Sequence, residues 1–218
     1  MCGRFSLVSI STVLTDRFKV EINEPIKPRY NIAPGQDSLI IMNTSPNRIS
    51  TAKWGLIPHW SKDEKTGYKM INARAETLME KPAYRRPLEK QRCLVIADSF
   101  YEWKKIGARK IPYRILLKNE EPFAFAGIYE TFQNNGSAIT TFSIITTEPN
   151  SLMIPLHDRM PVILKKEYER TWLEKPFLEI LQPYPSELMK RYQISTLVNN
   201  PENDTVDIIK PSEQKTLG

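Results

Sequence analysis

The chain has 218 residues, of which 40% are hydrophobic and 26% charged, which suffices for the buried core of one domain and excludes a disordered or fibrous polymer. Lys and Arg exceed Asp and Glu by 31 − 25 = 6, a surplus that permits a polyanionic partner without requiring one. Only Cys2 and Cys93, and only His59 and His157, are available as soft ligands, and no apolar run spans a membrane, so a disulfide framework, a metal centre, a cofactor and a membrane anchor are all unexpected.

The chain opens Met1-Cys2-Gly3-Arg4. An initiator Met is removed when a small residue follows, and Cys2 would then carry both a thiol and an α-amine. That pair can condense with an aldehyde and close to a five-membered thiazolidine, or act as nucleophile and base on an acyl group. An inert terminus is the plain alternative. The brief apolar stretch Phe5-Ser6-Leu7-Val8, followed by Asp16 and Arg17, is no signal peptide, and a cytoplasmic chain is expected. Ser11 to Val20 has helical spacing, with Val13, Leu14 and Phe18 inward. Pro25 to Gly35 reads as irregular. Ser38 to Met42 and Ile49 to Trp54 read as strands around the turn Thr44-Ser45-Pro46-Asn47. Ala75 to Lys90 reads as a helix broken by Pro82 and Pro87.

Strands follow at Cys93 to Ala97, Phe100 to Lys104, Tyr113 to Leu117, Phe123 to Tyr129, Thr140 to Thr146 and Met160 to Leu164. Their short connections favour antiparallel pairing, and Asn134-Asn135-Gly136 is a hairpin signal. Lys165 to Tyr192 reads as short helices with proline breaks, and about 205–218 as a tail. The fold expected is α+β: a single domain over 1–218 with a curved antiparallel sheet or small β-barrel edged by short helices.

Several short segments could carry chemistry. Cys93 lies in an apolar strand and reads as structural. In an extended Phe100-Tyr101-Glu102-Trp103, Glu102 shares a face with Asp98 and Phe100, and partial burial would raise its pKa toward acid–base use. His157 in Leu156-His157-Asp158-Arg159-Met160-Pro161 sits on a loop entering a strand, where an imidazole can exchange protons near neutral pH. His59, between Pro58 and Trp60, suits packing better. Asn72, Arg74 and Glu76 would project together from an extended segment and could hold an anion, or Arg74 and Glu76 could simply pair. Trp54 and Trp60 flank a Gly- and Pro-containing loop that could anchor the core or stack unpaired bases.

Taken together, Met1-Cys2-Gly3-Arg4, Tyr30-Asn31-Ile32-Ala33-Pro34-Gly35-Gln36, Trp54-Gly55-Leu56-Ile57-Pro58, Asn72-Ala73-Arg74-Ala75-Glu76-Thr77, Arg92-Cys93-Leu94-Val95 with Phe100-Tyr101-Glu102-Trp103, Phe125-Ala126-Gly127-Ile128-Tyr129-Glu130 and Leu156-His157-Asp158-Arg159-Met160-Pro161 resemble the SOS response-associated peptidases, whose members process abasic sites. The resemblance runs from residue 1 to about residue 200. It implies covalent capture of abasic sites in single-stranded DNA, or at single-strand/duplex junctions, and association with the nucleoid when bound. Cys2 would be the nucleophile, Asn72 would position the terminus and lesion, Glu102 would handle protons at the amine, and His157 would assist sugar opening and crosslink reversal. Arg4, Arg74 and Arg159 would bind phosphates, Trp54 would support the DNA path, and Arg4 would favour the thiolate. Peptidase and lyase-type activities come with the resemblance; the rival readings are an N-terminal-nucleophile hydrolase of the glutamine amidotransferase kind, a peptidase with self-removal of Met1 as its mildest form, and a non-covalent single-strand-binding module.

The chain departs from the family pattern at Ile96 and Ser99, where Pro and Gly are usual. A positive φ at Ser99 would strain the turn there.

Overall fold

A computed structural model describes residues 2–212 apart from Asn23 and Asn135. Residues 213–218 and Met1 lie outside the described residues, as does the centre of the Asn134-Asn135-Gly136 signal. The strands flanking that signal do pair, Asn134 opposite Ser137.

The elements run β1 (Phe5–Leu7), α1 (Ser11–Phe18), β2 (Arg29–Ile32), β3 (Asp37–Met42), β4 (Ile49–Trp54), β5 (Asn72–Arg74), α2 (Pro82–Lys90), β6 (Arg92–Ala97), β7 (Ser99–Ile106), β8 (Arg109–Leu117), β9 (Phe123–Asn134), β10 (Ser137–Thr147), β11 (Met160–Pro161), α3 (Lys166–Glu174) and β12 (Met189–Gln193). Strands β10, β4, β3, β6 and β9 pair in that order, and β9 returns to β10, which closes a five-stranded barrel. The second sheet has the order β12-β8-β7-β1-β2. Its inward Phe5 and Phe100 meet Phe125 of the barrel edge-on, at 5.9 and 6.0 Å between ring centres, so one aromatic core joins the two sheets.

The α+β barrel expected from the strand pattern is present. Two features of the pairing differ from expectation. β10 takes β4 and then β5 along the same edge, both parallel to it, because the chain leaves the edge after Trp54 and rejoins it at Asn72. The intervening excursion is pinched at its neck. Gly55 has φ +126°, and a Cβ on it would lie 2.6 Å from the Gly67 carbonyl oxygen. The short strands β1, β2 and β12 were not expected from local pattern, and β11 covers only the first two residues of its expected span.

The helix expected from Ala75 begins only at Pro82. Pro is preorganised for the first helical position, and residues 75–77 form a separate 3-10 turn. Pro87 is tolerated inside α2 because Tyr84 and Leu88 on the same face pack into the core. Arg92 then closes the end of that helix. Its buried guanidinium donates to the carbonyls of Leu88 and Glu89 in α2 and of Trp172 and Leu173 in α3, four last-turn oxygens that the helices leave unmet.

The stretch expected to be a tail from about residue 205 is packed as far as Ser212. Ile208 is buried with Tyr101, Ile194 and Val198 in a second apolar cluster, and Pro211 bridges Ile194.

Candidate active site

The site begins with strand alternation in β7. Phe100 and Glu102 face the barrel core, while Tyr101 and Trp103 face the second cluster, as the period of two requires. Glu102 is therefore a carboxylate on a core face, only 3% exposed. Burial pushes its carboxyl up to about 7. β1 lies antiparallel beside β7, with Phe5 opposite Phe100 and the Tyr101 amide donating to the Arg4 carbonyl at 3.0 Å. Gly3 and Cys2 precede the strand, and Cys2 packs in the barrel core on the Phe100 side.

Cys2 is fully buried, and its thiol lies 4.0 Å from the Arg4 carbonyl oxygen. Burial, and next the charge of Glu102, push the thiol's pKa up, so Sγ stays protonated at neutral pH. The expectation that Arg4 favours a thiolate is corrected by this arrangement. Arg4 Nη1 is turned away, donating to Asn31 Oδ1 and the Val198 carbonyl, both at 2.7 Å. Arg4 thereby brackets the segment after β12 against β1 and β2 instead of lining an open path.

Asn72 is delivered by β5. Its Nδ2 donates to the Cys2 carbonyl at 2.7 Å, and its Oδ1 is buried with no hydrogen-bond partner among the described residues. An orphaned acceptor beside Cys2 is a ready seat for an N–H or O–H of whatever enters. Ala73 is buried behind it and Arg74 is exposed, so the alternation expected for this row holds. Arg74 does not pair with Glu76. Glu76 instead takes Arg159 at 2.7 and 2.9 Å, and Arg159 also donates to the Thr146 carbonyl.

His157 lies on the loop before β11. Its Nδ1 is 3.0 Å from the Arg159 amide and 2.6 Å from an Asp158 carboxylate oxygen. One nitrogen cannot serve both partners in one state. It accepts from the amide when the ring is neutral and donates to Asp158 when protonated. Partial burial holds the imidazole below its ordinary pKa, which favours the neutral ring.

Glu102 and His157 open into one cavity of about 400 Å³ with Trp103, Lys105, Lys110 and Asn199. It adjoins a second hollow of about 790 Å³, shared through Trp103, Lys105 and His157, that runs past Arg74 and Arg159. Arg74, Lys105 and Lys110 line the groove without an ion pair among the described residues. Trp103, held by its indole N–H on Asn199 Oδ1 at 2.8 Å, and the two lysines are groove residues that the sequence reading did not single out. Alternation along β7 puts Trp103 on the face opposite Glu102, so it carried no signal that the two line one cavity.

Trp54 does not reach the groove. It is 1% exposed, its indole donates to the Ile71 carbonyl, and its ring lies parallel to Phe142 and edge-on to Phe5. A sealed ring cannot stack on a base, so the proposed DNA contact of Trp54 is replaced by a core role. Trp60, on the same excursion, is 50% exposed, and Tyr68 is 66% exposed. Among the described residues no cluster of three or more His, Cys, Asp or Glu is spaced to hold a metal ion.

The family model for the SOS response associated peptidases (SRAP) matches residues 1–201. The chain belongs to this family. It is 49% identical to the abasic site processing protein YoaM of Bacillus subtilis, over 96% of this chain and 97% of that one. It is 31% identical to the abasic site processing protein HMCES of Xenopus tropicalis, over 84% of this chain and 66% of that one. A crystal structure from Bacteroides thetaiotaomicron superposes with a TM-score of 0.87 at 31% identity, covering 97% of this chain and all of that one. Cys2, Asn72, Glu102 and His157 all fall within the SRAP match. No helix is long and apolar enough to cross a membrane among the described residues.

Proposed function

We propose that this SRAP protein captures abasic sites in single-stranded DNA, including those at junctions with duplex, as a covalent thiazolidine on Cys2 once Met1 has been removed. The observation that carries the reading is the seating of Cys2: its carbonyl is held by Asn72 at 2.7 Å while a carboxyl pushed up to about 7 neighbours its thiol. The names of its relatives, abasic site processing proteins from bacteria to vertebrates, support DNA with abasic sites as the target.

The chemistry follows from those groups. An α-amine has a pKa of about 7.7–8, roughly one unit above Glu102, so passing a proton between them costs only about 1.4 kcal/mol. Glu102 takes the ammonium proton, and the amine adds to the C1′ aldehyde of the opened sugar. Water leaves to form the imine. The Cys2 thiol then adds to the same carbon: a C–S bond forms, the thiol proton passes through Glu102 to nitrogen, and the net loss is one water. His157, whose ring burial keeps neutral, moves the proton between the C1′ hydroxyl and the ring oxygen as the sugar opens. Arg74, Lys105 and Lys110 supply phosphate contacts, Arg159 orders the loop through Glu76, and Trp60 supplies a stacking face, so binding needs no base-specific contact.

The test uses a single-stranded oligonucleotide with one abasic site, separated under denaturing conditions. The expected adduct has the mass of Met1-less protein plus DNA minus one water; Cys2→Ala abolishes it, and intact DNA forms none. Retention without an adduct would instead mark a binding module, and an adduct formed by Cys2→Ala would place the chemistry elsewhere.

A further inference from the structure

The strand that carries Cys2 toward the site is very short. β1 has three residues, Phe5–Leu7, and a slip by one residue would turn every side chain on it to the opposite face. So few ladder bonds hold a register poorly by themselves. A chain of buried side-chain hydrogen bonds lies directly under this strand. Arg114 Nε on β8 donates to Ser99 Oγ on β7 at 2.8 Å. Ser99 and Ser6 share a hydroxyl–hydroxyl bond of 2.6 Å, and Ser6 Oγ donates to Asp98 Oδ1 at 2.6 Å. Asp98 Oδ2 accepts the amides of Val8 and Ser9 just beyond β1.

The direction of the chain is unique. A guanidinium only donates and a carboxylate only accepts, so Ser99 must donate to Ser6. At its far end Arg114 Nη1 donates to Tyr192 on β12, whose hydroxyl donates to the Ile209 carbonyl. Ser6 and Ser99 are fully buried, and Asp98 and Arg114 nearly so, which makes each missing partner expensive. Ser99 is the position where the family pattern has Gly. Its φ is not positive, so no strain follows, and its hydroxyl closes the gap between Arg114 and Ser6.

We propose that Arg114, Ser99, Ser6 and Asp98 form a register clamp: positioning residues that hold β1 on β7 so that Cys2 meets Asn72 and Glu102. The clamp touches neither the DNA groove nor the reacting atoms. It rests on the reading that Cys2 is the reactive residue. Its effect therefore falls on the covalent step and leaves DNA affinity alone.

The test compares wild type with Ser99→Ala, Ser6→Ala, the double variant and Asp98→Asn, at a temperature where each is folded by circular dichroism. Expected are adduct-forming rates at saturating abasic DNA at least tenfold lower, with affinity for intact single-stranded DNA within twofold. The double variant should be no slower than the slower single one, since both break the same chain. The acid limb of the pH–rate profile should move below 7, because a loosened β1 admits water to Glu102; a change in global stability alone would not move it. Unchanged rates in Ser99→Ala and Asp98→Asn, or losses of rate and affinity in equal proportion, would overturn the clamp. Should wild type form no adduct, the functional reading fails, and amide hydrogen exchange decides the clamp separately. Faster exchange confined to residues 4–9 in the variants supports it, and unchanged or uniformly faster exchange overturns it.

Discussion

Among the described residues, one buried glutamate is bonded to a histidine and another shares a cavity with one, and the two sites differ in what surrounds the carboxyl. At Glu130 on β9, the carboxylate takes Arg86 from α2 on both oxygens, at 2.7 and 2.9 Å, and His59 at 3.2 Å. Trp60 closes edge-on over His59, 4.9 Å between ring centres. This cluster ties the excursion after Trp54 to the barrel and to α2. At Glu102 burial dominates and pushes the carboxyl up to about 7, beside the Cys2 thiol and at the mouth of a cavity shared with His157. Under the proposed function the same residue types serve as a brace where a guanidinium compensates them and as a proton carrier where burial outweighs compensation.

The contrast can be broken by experiment. Glu102→Gln should slow adduct formation by about 10²–10⁴-fold, the usual span for a lost general base, and flatten the pH–rate profile near 7; an effect below threefold would erase the distinction between the clusters. The same variant should be the more stable protein at high pH. Between its ordinary value of 4.5 and about 7, folded Glu102 holds a proton that the unfolded chain has released, so wild-type stability falls as pH rises through that window. Gln removes the fall, a gain of up to roughly 3 kcal/mol at pH 8 that vanishes at pH 4, read from denaturant midpoints. Glu130→Gln should do the reverse, costing about 1–3 kcal/mol of stability by weakening a buried charge-assisted set, with adduct formation per folded molecule within twofold. Smallest of all, His59→Ala should cost under about 1 kcal/mol, since its imidazole is half exposed and Arg86 keeps Glu130 satisfied.

Much of the fold was legible wherever a segment carries its own pattern. α1 has helical spacing, β4 alternates toward its end, and β6 and β10 carry continuous buried runs; all four lie within three residues of their expected ends. What escaped was set by partners distant in sequence. β1, β2 and β12 have few residues and little periodicity, and they become strands because β8 offers an edge to β12, β7 to β1, and β1 in turn to β2. The parallel seating of β4 and β5 on β10 depends on where an excursion rejoins the sheet, which no local signal encodes. In the site, the row Asn72, Arg74 and the face of Glu102 followed from alternation alone. The partners of the arginines did not. Arg159 takes Glu76 across a loop, and Arg4 takes Asn31 because β2 pairs with β1. Trp54 and Trp60 are alike in sequence context, and only the closing of the barrel decides which ring is sealed.

Arg92 has a consequence for how the molecule comes apart. One guanidinium on β6 ends both α2 and α3, so neither helix can peel from the barrel without taking two carbonyl partners from a buried cation. Partial opening on that side therefore has no inexpensive intermediate, and a protease should meet either both helices intact or the whole domain undone.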